Sequence, residues 1–118
     1  MNRIHMNALA LAVSLGFSAG AMAENMSKAD YSTAKDKIAA EYKSGKAACN
    51  SLSANAKDVC VAQAKGVQKV ARADLDASYK PSTKAHYEAL VAKAEADYGV
   101  AREKCDDLSG NAKDVCVK

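Results

Sequence analysis

The chain has 118 residues, a formal net charge of +3, only 5% aromatic residues and no Trp. A balance this small, with lysines mixed among acids, excludes the clustered basic face and aromatic interleaving that a nucleic-acid partner would want. Abundant Ala, Lys and Glu favour helix, and sparse β-branched and aromatic residues argue against a sheet.

Residues 1–23 read as an export signal. Arg3 and His5 form a short positive start, Ala8 to Phe17 is almost wholly apolar, and Ala21-Met22-Ala23 has the A-x-A form of a cleavage site. The apolar run is too short for a permanent span. No Cys follows it directly, so no lipid anchor is expected. Cleavage after Ala23 leaves a mature helical domain, 24–118, with no further hydrophobic run and hence no membrane span. The expected location is the periplasm.

An internal duplication organises the rest. Residues 31–61 and 87–117 align without gaps, and fourteen of 31 positions are identical. The string C-x-x-L-S-x-N-A-K-D-V-C-V occurs in both copies. Each copy opens with a stripe at steps of three and four, the period of one helix face. In the first it is Tyr31, Lys35, Ile38, Tyr42, Gly45 and Cys49; in the second it is Tyr87, Val91, Ala94, Tyr98, Ala101 and Cys105. The tyrosines of both stripes are expected in the core, with each hydroxyl at the rim. A break follows at Asn50–Ala54 and again at Asp106–Gly110. Asn55 and Asn111 are good N-caps, with Ser53 and Ser109 as rivals. Behind an Asn cap, Asp58 and Asp114 fall in the first turn, where a negative charge suits the helix dipole.

Between the copies, Val67, Val70, Ala71 and Leu75 give a modest apolar stripe, and Gly66 is a weak spot in the helix. Pro81 ends that run, and Ser82 can cap the next helix. The predicted order is helix 28–50, helix 55–79, helix 83–106 and a new start at 111. Short loops make successive helices antiparallel. The fold class is therefore all-α: antiparallel up-down helical hairpins or a bundle of long helices, with local disulfides. The final helix holds about seven residues before Lys118, whereas the first copy continues well past its second Cys, so a chain truncated at its C-terminus is expected.

Four cysteines, Cys49, Cys60, Cys105 and Cys116, in a short exported chain point to disulfides. Four allow three pairings. A turn signal stands between the members of each C-x10-C pair, which favours Cys49–Cys60 and Cys105–Cys116. The rival is Cys49–Cys116 with Cys60–Cys105, as in twin-cysteine helical hairpins. Closing each local loop contributes about 3 kcal/mol by restricting the unfolded chain.

No catalytic set emerges. His86 is the one His after Ala23, and there is no P-loop, G-x-G-x-x-G or C-x-x-C. Ten residues between cysteines is a poor zinc spacing. Asp106-Asp107 and Asp74/Asp76 do not face each other as helical neighbours, so they read as surface or turn charges. No cofactor or metal is expected, and the chain is read as a non-enzyme.

The repeated C-x-x-L-S-x-N-A-K-D-V-C-V string, behind an Ala/Lys-rich helix and an export signal, resembles a group of small exported proteobacterial helical proteins. These are uncharacterised and sometimes labelled TolA-like or cell-envelope-biogenesis proteins. The resemblance covers 31–61 and 87–117. There is a fainter similarity to phosphate-starvation periplasmic repeats, which also set two Cys around a turn. The resemblance implies a helical envelope protein and carries over no residue beyond the cysteines. The resulting expectation is a non-enzymatic periplasmic or envelope protein, an interaction or stress-related module with an envelope protein as partner. A thin alanine core on long helices leaves self-association open. The alternative is periplasmic redox or metal handling through the four cysteines.

Overall fold

A computed structural model of the chain describes residues 26–118. The export signal and its cleavage site lie outside the described residues. Those residues form four α-helices and no strand: α1 (Lys28–Ala48), α2 (Ala54–Tyr79), α3 (Thr83–Cys105) and α4 (Gly110–Cys116), with a 3-10 turn at Cys49–Ser51 after α1. The helix order and boundaries expected from the sequence agree to within two residues.

Local chemistry sets the ends. Ser27 caps α1, its Oγ accepting the Asp30 N–H at 3.1 Å, and Asp30 places negative charge in the first turn. At the other loop, α2 stops before Pro81, whose ring disfavours a helical conformation at Lys80. Ser82 then caps α3, accepting the Ala85 N–H at 3.0 Å.

The packing depends on where α2 is touched. Ala64 on α2 approaches Gly45 on α1, whereas Gly66 on α2 lies against Ala96 on α3. Two residues differ by about 200° around a helix. α1 and α3 therefore dock on nearly opposite sides of α2, and they do not contact each other. The molecule is a pair of antiparallel hairpins that share α2.

The α2–α3 contact is built from small residues. Gly66, Ala77 and Ala92 are buried. Ala85, Ala89, Ala92, Ala96 and Gly99 repeat at steps of four and three along the α2-facing side of α3, and all are at least half-buried. Small side chains let two helix axes approach closely. Gly66 carries this furthest, because a Cβ built there would lie 3.0 Å from the Ala96 Cβ. The glycine that weakens α2 as an isolated helix is thus what its packing requires. Lys69 and Glu95 also pair across this contact, but both are half exposed, so the pair adds little.

The α1–α2 hairpin is closed at its open end by aromatics. Tyr31 and Tyr79 stack with ring centroids 4.3 Å apart. The Tyr31 hydroxyl donates to Asp76 at 2.6 Å. That hydrogen bond holds the phenol proton and, with slight desolvation, raises the Tyr31 pKa above its ordinary 10.0.

Gly66→Leu should lower stability by about 1–3 kcal/mol through overpacking, although Leu is the better helix former. Thermal unfolding followed by circular dichroism checks this. A higher Tm would mean that α2 and α3 are not in close contact at residue 66.

Candidate functional site

The two cysteine pairs lie at one end of the molecule. Cys49 and Cys60 are bonded, as are Cys105 and Cys116, each with a Cα separation of 5.7 Å. The pairing is local, as the turn signals favoured, and the rival long-range pairing does not form. None of the four cysteines is free. Asn55 joins the two turns: its Nδ2 donates to the Glu103 carbonyl at 2.9 Å, tying the start of α2 to the end of α3.

This use of Asn55 corrects its expected role as a cap. The N-caps are Ser53 and Ser109, neither of which makes a side-chain capping bond. Asp58 consequently sits beyond the first turn of α2, which holds no acid. The reason lies in the residue after each serine. Ala54 has φ +51° and Gly110 has φ +57°. This left-handed residue reverses the chain sharply enough to bring each second cysteine beside its partner. Glycine adopts it freely, whereas a Cβ makes it cost about 1–2 kcal/mol. In the second turn Lys113 also pairs with Asp106 at 2.8 Å, which places Asp106 in the turn rather than in a carboxylate dyad.

The tyrosine stripes behave differently in the two copies. In the first, Tyr31 and Tyr42 are half-buried, Cys49 is fully buried, and Gly45 meets Ala64 of α2. In the second, Tyr87 is 66% and Tyr98 57% exposed, so the expectation that they lie in the core is overturned. The cause is again a 200° step: Ala96 faces α2, so Tyr98 faces away from it. α3 spends its small-residue face on α2 and leaves the tyrosine stripe outside. Leu90, 70% exposed, extends this outer face. Only Cys105, held by α4, is buried there.

A second surface feature is an open groove of about 670 Å³ between α2 and α3, with Val67, Val70, Ala96 and Val100 in its walls. Asp74, Lys93, Asp97 and Lys104 also line it, with Lys93 and Asp97 paired at 3.3 Å. Among the described residues no three His, Cys, Asp or Glu side chains are grouped to hold a metal. His86 is exposed near the start of α3, where its backbone N–H donates to the Ser82 carbonyl. No helix of the described residues is long and apolar enough to cross a membrane.

No protein family matches the chain, and neither a curated protein nor a solved structure does.

Replacing Ala54 with Gly, the residue its counterpart position already uses, should raise stability by about 1 kcal/mol. Gly110→Ala should lower it by a similar amount. Urea unfolding of the oxidised proteins reads both, and equal midpoints for Ala54→Gly and the parent would contradict the left-handed turn.

Proposed function

We propose that this is an exported, non-enzymatic helical protein of the bacterial envelope, matured by cleavage after Ala23 and acting in the periplasm as an interaction module. The observation that carries the reading is the uncovered apolar stripe of α3, Tyr87, Leu90 and Tyr98, three of the seven exposed large hydrophobic residues and the three that share one helix face. Soluble monomers seldom leave contiguous apolar surface bare, and where they do it commonly marks a partner site.

Export is supported by the A-x-A signal and by two disulfides, which persist in oxidising compartments. The similarity of the repeated cysteine string to exported proteobacterial envelope proteins points the same way. The paired state of all four cysteines supports a structural role for them, because thiols must be free to bind metal or to attack a disulfide.

Cell fractionation with N-terminal analysis of the tagged protein tests location, and a photo-crosslinking residue at Leu90 tests the surface. The expected outcome is a periplasmic chain beginning at Glu24 that yields a discrete crosslinked band, absent when the crosslinker stands at exposed Lys37 on α1. A cytoplasmic, uncleaved chain would overturn export, and equal crosslinking from both positions would overturn the docking surface.

A further inference from the structure

The two copies of the repeat have the same stripe, yet only one stripe is covered. We propose that the outer face of α3 is a docking site for one amphipathic helix with the chemistry of α2, lying antiparallel to α3 and in line with α4. This deepens the reading of the protein as an interaction module and rests on it.

The first copy shows what such a stripe accepts. Along α1, Cys49 is bonded to Cys60, Gly45 meets Ala64, and Tyr31 stacks on Tyr79 while donating to Asp76. One antiparallel helix supplies all four partners. Shifted by the repeat offset, the corresponding positions on α3 are Cys105, Ala101 and Tyr87. The first of these partners is already in place, since α4 bonds Cys116 to Cys105 at the same 5.7 Å Cα separation as in the first copy. Beyond α4 most of the stripe is bare: Ala101, Tyr98, Ala94 and Tyr87 are exposed, while Val91 is half-buried at the margin with α2.

The one substitution at a close-contact point is tolerated. Gly45 becomes Ala101, and a Cβ built on Gly45 would sit 3.7 Å from the Ala64 Cβ, an ordinary van der Waals contact. Elsewhere Val91 replaces Lys35 and Ala94 replaces Ile38, so the middle of the second stripe gains one large apolar side chain and loses another. The occupant is thereby specified. It carries a small residue one turn beyond the cystine, to lie on Ala101. It carries an aromatic at its far end, to stack on Tyr87, with an acid three positions earlier to accept the Tyr87 hydroxyl. This is helix-in-groove recognition, read through anchors at helical spacing.

The test uses the whole chain. Residues 62–79, the part of α2 that follows its own cystine and Val61, are fused after Val117 in place of Lys118. The predicted result is a monomer with about eighteen more helical residues by circular dichroism, a raised Tm, and protection of Tyr87 and Tyr98 from nitration by tetranitromethane. Tyr98→Glu in the fusion should return both Tm and Tyr87 nitration to those of the unfused chain, while Tyr98→Phe should keep the gain. A fusion whose added segment is unstructured and whose tyrosines nitrate as before would overturn the proposal. A second copy is the other occupant to be distinguished. If the unfused chain sediments as a dimer that Tyr98→Glu dissociates, the face is a self-association site and the proposal fails. Either failure leaves cleavage after Ala23 and periplasmic location, which are measured separately, untouched.

Discussion

The architecture depends on a close approach between α2 and α3 at Gly66 and Ala96, where no side chain larger than a methyl stands between two helices. Because α2 meets α3 there, and meets α1 one residue pair away at Ala64, it must serve two hairpins from opposite sides. With α1 and α3 on opposite sides of α2 and out of contact with each other, the three helices do not close into a bundle. The result is a layer with few buried side chains, in which only Leu75 among the buried hydrophobics is larger than Cys. Alanine and glycine permit tight helix contacts but remove little apolar area from water, and area is what stabilises a core.

The disulfides offset that deficit. Each crosslinks a helix end to the helix that follows, so the chain reversals at Leu52-Ser53 and Leu108-Ser109 are fixed covalently rather than by packing. At the opposite end of the first hairpin, the Tyr31–Tyr79 stack and the hydroxyl of Tyr31 on Asp76 hold α1 to α2. α1 is thus secured at both extremities and needs little between them. α4 is held to α3 through its cystine, and Tyr87 and Tyr98 on the outer face of α3 are exposed.

Much of this was legible in the residues. Helix order followed from Pro81, Ser82, the Ser/Asn/Gly breaks and the absence of β-formers, because these are local effects. The cysteine pairing followed from a turn signal lying between partners. What was missed depended on tertiary context. The two stripes are alike as periodic patterns, yet α3 has a second seam, from Ala85 to Gly99, which hydrophobic reading passes over because it is made of alanine and glycine. The steps of four and three in that small-residue seam were the available signal. Asn55 looked like a cap by residue type, but the left-handed Ala54 moved the cap to Ser53 and freed the Asn55 amide to reach Glu103. Gly66 looked like a defect because propensity scales carry no term for a neighbouring helix.

The account stands on structural, locally paired cysteines, and a non-reducing tryptic map of the purified protein tests this most directly. Lys57 lies between Cys49 and Cys60, and Lys113 between Cys105 and Cys116, so trypsin separates the members of each pair and every linkage has its own mass. The account predicts Cys49 linked to Cys60, Cys105 linked to Cys116, and no alkylatable thiol. Cys49 linked to Cys116 with Cys60 linked to Cys105 would contradict the hairpins, and free thiols would bring redox or metal chemistry to the front.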